Sequence, residues 1–334
     1  MATLRAFFWI LVACFLAIEA QAKPIGVSYG RVADNLPSPT EVIAMYKKYN
    51  IGKLRLYQPD ADVLNALKCS GIEVIVGTLN ADLASLAEGI GPAQDWVDAN
   101  LKPYYPEVNI KYLVAGNEVV PGDLAGYVAQ AIGNLQRVLL SYNMNILVTT
   151  AVPLNILGSS YPPSSGAFSD STKANMVSIL QVLNNNQAPL VIHPYPYFAY
   201  AADPVHIKLD YAQFASPSPV VTDGTLKYQN MFDAMVDAFY AAMEREGFSN
   251  LGVIVGETGW PNAGNGEITT PQLAQTYNKN FVNKILAGIG TPKRPHCPLD
   301  GYIFAMFNEN QKAAGVEQHW GLFNPDQTPV YPLF

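Results

Sequence analysis

Short apolar runs and longer segments of helical periodicity alternate along this chain from residue 25 onward. The apolar runs cover 25–29, 53–57, 72–78, 110–115, 146–152, 190–193, 252–256 and 302–307. They read as strands buried on both faces, the condition of parallel strands covered by helices. Between them the periodicity predicts a helix opened by Pro39-Thr40-Glu41, then helices over 60–69, 81–87 with 93–101, 124–140, 173–183, 229–246 and 274–286. Eight strands separated by helices predict an α/β fold, a closed (β/α)8 TIM barrel, because parallel neighbours need crossovers and helices cover the outer face. The open doubly wound sheet is the alternative, and no Gly-x-Gly-x-x-Gly follows the first run to favour it. Two stretches break the alternation. Residues 194–227, rich in Pro and Tyr, exceed an ordinary loop and are expected to form a small subdomain inserted after strand six. Residues 308–334 show no eighth helix and are expected to close the barrel irregularly.

The first 22 residues follow a different pattern. Arg5 precedes an apolar run over 6–18, and Ala20-Gln21-Ala22 supplies a small-x-small cleavage pattern, so 1–22 is expected to be a secretory signal peptide. The run is too short to span a bilayer. Residues 23–334 are then one barrel domain, expected to work as a monomer. Composition narrows the partners. A hydrophobic fraction of 49% with 14% charged residues describes a large core, and a net charge of -7 suits neither nucleic acid nor an anionic membrane. Beyond the leader only Cys69 and Cys297 remain, which is no disulfide framework.

In a parallel barrel the chemistry collects just past the carboxyl ends of the strands. There the sequence offers Tyr57 after the second run, Gly116-Asn117-Glu118 after the fourth, His193-Pro194-Tyr195-Pro196-Tyr197-Phe198 after the sixth, Glu257 after the seventh, and Asn308-Glu309-Asn310-Gln311-Lys312 with Glu317 after the eighth. Gly256, Gly259 and Pro261 stop the seventh run, so Glu257 stands where a buried strand opens into a loop. Two carboxylates facing each other across a barrel mouth, with aromatic side chains beside them, suit glycoside hydrolysis: one protonates the leaving oxygen and the other meets the anomeric carbon. No His or Cys cluster at metal-ligand spacing and no phosphate-cradling glycine loop occurs, so neither metal nor cofactor is expected.

On these residues the chain resembles the plant glucan endo-1,3-β-glucosidases of glycoside hydrolase family 17, over essentially the whole length after the leader. The resemblance is carried by Val253 to Gly264, Ile25-Gly26-Val27-x-Tyr29-Gly30, Leu54-Arg55-Leu56-Tyr57-x-Pro59, Gly116-Asn117-Glu118, Tyr195-Pro196-Tyr197-Phe198 and Phe307-Asn308-Glu309-Asn310-Gln311-Lys312. It implies a (β/α)8 barrel with a small subdomain beside strand six, and a retaining endo-hydrolase of β-1,3-glucan. Glu118 is then the acid/base and Glu257 the nucleophile, with Glu309, Lys312 and Glu317 as a supporting cluster whose ammonium limits the repulsion between carboxylates. Asn117 is expected to contact the sugar 2-hydroxyl or to position the acid, and Tyr57, Tyr195, Phe198 and Phe307 to wall the groove. The family pattern is broken at one position, where His193 replaces the usual Asn. That imidazole is expected between Glu118 and Glu257, where a positive charge on it would favour the ionised form of the acid. Nothing after Phe334 corresponds to the binding module, anchor or vacuolar extension of some relatives, so secretion to the cell wall space is expected. Two alternatives stay open: a glucan-binding wall or defence protein with little or no turnover, and a hydrolase of mixed 1,3-1,4-β-glucan.

Overall fold

Eight short parallel strands, almost wholly buried, form the centre of the molecule. In chain order the strands are β1 (Gly26–Ser28), β2 (Lys53–Leu56), β3 (Glu73–Gly77), β4 (Asn109–Asn117), β5 (Leu147–Pro153), a ribbon of β6 (Leu157–Ser159) and β7 (Ala167–Phe168), β8 (Leu190–His193), a second ribbon of β9 (Val221–Asp223) and β10 (Leu226–Tyr228), then β11 (Val253–Thr258) and β12 (Asp300–Ile303). Strands β1 to β5, β8, β11 and β12 close a barrel in that order, sealed where Gly26 pairs with Tyr302 and Val27 with Ile303. The computed structural model describes residues 25–334, and the signal-peptide reading of 1–22 lies outside them.

The helices are α1 (Pro39–Lys48), α2 (Ala61–Leu67), α3 (Leu83–Glu88), α4 (Ile90–Asn100), α5 (Ala125–Ser141), α6 (Lys173–Asn186), α7 (Pro196–Ala202), α8 (Leu209–Ala212), α9 (Met231–Arg245) and α10 (Pro271–Leu286). Their starts follow from local chemistry. Ser38 and Glu41 form a reciprocal capping box ahead of Pro39, Asp60 accepts from the Val63 amide, and Thr270 caps α10 ahead of Pro271. Along each strand, alternate side chains face outward to the helices or inward to the barrel. The outward set (Val74, Val76, Leu113, Val148, Leu190, Ile192) joins the large helix-packed core, whereas Ile75, Val114, Ala151, Val191, Ile254 and Tyr302 form a separate inner cluster. The barrel is therefore filled, and only its rims are open to chemistry.

Two departures from the expected elements stand out. The eighth strand was expected over 302–307, but β12 ends at Ile303. From there the Phe304 amide donates to Thr258 O, Met306 to Ser28 O, and Ala305 and Asn308 to carbonyls of Trp320 and Phe323. Residues 304–308 thus bond partly to the returning tail, which takes the place of an eighth helix. The ribbon β6–β7 has no counterpart in the expected elements, because strands of three and two residues are too short for any periodicity to show. After β8 the long connection carries α7, α8 and β9–β10. Ser164, in the turn between β6 and β7, donates from its amide and hydroxyl to Asp223 at 2.6 and 2.8 Å, tying the two insertions together over the same side of the barrel mouth. Cys69 and Cys297 are exposed free thiols. No described helix is long and apolar enough to cross a membrane.

Candidate active site

The end of β4 is bent out of regular strand geometry. Gly116 has φ +80° and Glu118 φ +54°, left-handed backbone that is costly for a side-chain-bearing residue and is maintained only by its surroundings. Here Thr78 Oγ1 accepts from the Gly116 amide, Thr150 Oγ1 donates to the Gly116 carbonyl, and the Asn80 side chain bonds both sides of Asn117, accepting from its N–H at 2.8 Å and donating to its C=O at 3.0 Å. These bonds fix the turn that swings Glu118 toward the barrel axis. Asn80 was not among the sequence candidates, since a lone Asn after a strand carries no distinguishing signal.

Glu257 arrives from β11 and is 7% exposed. Its Oε1 accepts from Arg55 Nη1 at 2.9 Å and from the Tyr57 hydroxyl at 2.8 Å, and its Oε2 accepts from the Tyr195 hydroxyl at 2.9 Å. Burial would raise its pKa, while the Arg55 guanidinium and the hydrogen bonds from the two phenols act against it, and the carboxyl is held below the ordinary glutamate value. The phenols of Tyr57 and Tyr195 are pushed well above their ordinary range, by burial first and then by the Glu257 charge, so both remain protonated donors.

Arg55, an inward residue of β2 at 1% exposure, is the hub. Nη2 donates to Asn117 Oδ1 at 2.7 Å, and Nη1 lies 2.9 Å from each of Glu257 Oε1, the Gly256 carbonyl and His193 Nε2. Gly256 makes this convergence possible: a Cβ there would come within 2.3 Å of Val191, 3.0 Å of Arg55 Nη1 and 3.1 Å of His193 Nε2. His193 ends β8 with its other nitrogen, Nδ1, 2.5 Å from Glu118 Oε1, and its Nε2 is 3.7 Å from Glu257 Oε1. Glu118, His193 and Glu257 each bring one donor atom within 4.8 Å of the others. A cation is already among them, the guanidinium of Arg55, so a bound metal is not needed to offset these carboxylates.

The carboxyl pair divides an open cleft into two arms. The larger, about 670 Å³, runs past Tyr195, Phe198, Ala199, Leu154, Leu157, Met235 and Trp320. The smaller, about 410 Å³, is more charged and is lined by Arg31, Tyr57, Asp60, Asn117, Glu309 and Lys312. Both arms share Glu118, Glu257, Phe304 and Glu317. Phe304 and Trp320, absent from the sequence candidates, complete the aromatic wall: Trp320 lies 5.3 Å from the Tyr195 ring, 5.8 Å from Phe198 and 5.7 Å from Phe304. Phe307, expected in the groove, is instead 2% exposed and packs edge-on against Tyr29 at 6.2 Å. The early end of β12 explains the exchange, since it brings Phe304 to the rim and carries Phe307 into the core. The supporting cluster is also looser than expected. Lys312 bonds Glu309 at 3.3 Å and stands over the Phe304 ring at 4.3 Å, while Glu317 lines both arms and joins no ion pair among the described residues. Glu309 is held separately by the Val32 amide at 2.7 Å.

A filled parallel barrel with two close carboxyls at the carboxyl ends of β4 and β11, set in an aromatic-walled trough, defines the class: a glycoside hydrolase. The family model for Glycosyl hydrolases family 17 matches residues 25–333, and the chain belongs to that family. It is similar to the probable glucan endo-1,3-beta-glucosidase BG4 of Arabidopsis thaliana, at 48% identity over 94% of this chain and 91% of that protein. The glucan endo-1,3-beta-glucosidase, basic vacuolar isoform, of Nicotiana plumbaginifolia is 42% identical over 100% of this chain and 92% of its own length. Among solved structures, CJP38, a beta-1,3-glucanase and allergen of Cryptomeria japonica pollen, superposes with a TM-score of 0.90 at 47% identity, over 93% of this chain and 98% of that one.

Proposed function

We propose that this protein is a retaining endo-hydrolase of β-1,3-glucosidic linkages, with Glu257 as nucleophile and Glu118 as acid/base. The observation that carries the reading is the carboxyl pair, with oxygens within 4.8 Å of each other on the floor of a cleft that continues to both sides. Retaining enzymes keep their carboxyls at roughly 5 Å, whereas inverting enzymes need about 6.5 Å or more to admit a water. A cleft open beyond the pair in both directions accepts the middle of a chain, which is endo action. The relatives named for 1,3-β-glucosidase activity supply the linkage. Of the two oxygens of Glu257, Oε1 accepts from two protein donors and Oε2 from one, so Oε2 keeps a lone pair for the anomeric carbon. Attack forms the C1–Oε2 bond while the glycosidic C1–O bond breaks and the leaving oxygen takes the proton of Glu118. A water then enters, gives its proton to Glu118, and releases Glu257 as carboxylate.

The test is incubation of the purified protein with a linear β-1,3-glucan. New reducing ends, internal cleavage products and an initial β-anomer by NMR are expected. Binding without product would leave a glucan-binding protein, an initial α-anomer would mean inversion, and faster release from mixed-linkage glucan would move the preferred substrate. Residues 1–22 support export to the cell wall space, with one relative named as vacuolar; expression with a C-terminal fluorescent tag separates these destinations.

A further inference from the structure

His193 is buried at 2% exposure and sits directly between the two carboxylates, yet the reaction as written gives it no proton to move. Its surroundings assign its hydrogens. Guanidinium nitrogens only donate, so Nε2, 2.9 Å from Arg55 Nη1, accepts. The neutral ring therefore carries its proton on Nδ1, and Nδ1–H donates to Glu118 Oε1 at 2.5 Å. Of the neutral ring and the imidazolium, the contacts support this neutral tautomer, because a second ring proton on Nε2 would face a guanidinium donor.

We infer that His193 is a positioning residue that keeps the catalytic proton of Glu118 on Oε2, an assignment that rests on the hydrolase reading above. Oε1 is occupied as an acceptor by Nδ1–H, and Oε2 has no partner among the described residues. The acid proton accordingly resides on Oε2, the oxygen without a protein partner. When that proton passes to the leaving oxygen and the C1–O electrons follow it, the negative charge left on Glu118 already has a hydrogen bond on Oε1. In the second half Oε2 recovers a proton from the attacking water. His193 ends both halves as it began. The backbone around the ring is fixed for this role: the Pro153 and His193 positions pair between β5 and β8, and Thr258 Oγ1 donates to the Pro194 carbonyl at 2.6 Å. The same Nη1 that contacts Nε2 also contacts Glu257 Oε1, so Arg55 and His193 hold acid and nucleophile in one hydrogen-bonded unit.

A residue that places an acid matters in proportion to how much the leaving group needs a proton. The test compares kcat/KM on a β-1,3-gluco-oligosaccharide, whose leaving alcohol needs one, with that on a 2,4-dinitrophenyl β-glycoside of laminaribiose, whose phenolate does not. For His193→Ala the expected loss is about 100-fold on the oligosaccharide and at least about tenfold less on the dinitrophenyl substrate. His193→Asn keeps one acceptor and one donor on a shorter side chain. It is expected to show the same bias in smaller measure, and it carries the test if the alanine variant does not fold. Equal losses on both substrates, or no loss on either, would overturn the inference alone. A wild type inactive on both substrates would overturn the hydrolase reading and the inference together.

Discussion

Lys53 and Arg55 are two inward-facing cations two residues apart on β2, and they show how differently the two ends of one barrel use the same charge. At the amino-terminal end Lys53, 5% exposed, bonds Glu73 of β3 at 3.3 Å and Asp300 of β12 at 3.0 Å. Its charge is committed to adjacent β3 on one side and, across β1, to β12 on the other, which ties the barrel floor. At the carboxyl end Arg55 has a single carboxylate partner among the described residues, Glu257, and its Nη atoms also reach His193, Asn117 and a backbone carbonyl. Neutral acceptors orient without neutralising, so Glu257 stays ionised and partly uncommitted. The floor uses a cation to finish an ion pair, while the mouth uses one to aim an unfinished one.

The strongest way to break this contrast is to remove the charge that Arg55 aims. Glu257→Gln is expected to lower turnover about 10^4-fold or more while unfolding near the wild-type temperature, because an amide neither attacks C1 nor leaves as a carboxylate. Survival of activity above that level would mean another group is the nucleophile. Glu118→Ala, on the other side of the same unit, is expected to lose about 10^2- to 10^4-fold and to regain product as β-glycosyl azide when azide and an activated substrate are supplied. Azide rescue at Glu257→Ala instead would reverse the two roles.

The paired cations give the most direct comparison. Arg55→Met is expected to cost about 10^2-fold in kcat, since it removes preorganised donors at the reacting centre. Lys53→Met should leave kcat per folded molecule near wild type but lower the unfolding free energy by about 2 kcal/mol, less than the roughly 3–5 kcal/mol of a fully buried broken pair because Glu73 and Asp300 retain some water. Denaturant titrations and active-site counting on both variants check this, and equal catalytic losses would dissolve the distinction between the rims.

Asp237 of α9 sharpens it from outside, as a carboxylate buried with hydrogen bonds but no ion pair. Burial pushes its pKa up to about 6, against hydrogen bonds from Thr291, the Lys293 amide and Tyr228. A folded-state pKa above the ordinary 3.8 means the folded protein holds this proton more tightly than the unfolded chain. Its contribution to stability is therefore full below about pH 4 and lost as pH rises through about 6. Asp237→Asn is expected to remove that slope and to stabilise by about 1 kcal/mol at pH 7, read from unfolding free energies at the two pH values. A slope unchanged in the variant would assign it to other groups.

Much of this architecture was legible before any coordinates. Apolar runs doubly buried by helices announced the parallel barrel, and Pro39-Thr40-Glu41 announced the start of the first helix, because both are local properties, whereas the last helix begins at Pro271 behind its Thr270 cap, three residues before the expected 274. The carboxyls Glu118 and Glu257 were legible too, since residues just past barrel strands must meet at one rim. The ribbons β6–β7 and β9–β10 were not, and neither were Asn80, Phe304 and Trp320. Asn80 acts only through the peptide of Asn117 across a strand boundary, and Trp320 reaches the cleft from a tail without periodicity.

The sequence by itself determined the alternation of elements, hence the closed sheet, and with it which carboxylates face each other. Strand period and crossover geometry leave few other solutions. Tertiary structure alone decided how those carboxylates are differentiated. Arg55 takes four partners from β4, β8 and β11, Gly256 leaves them room, and the direction of one guanidinium donor selects the tautomer of His193. These depend on the distances between residues as many as 202 positions apart, a quantity no local pattern contains.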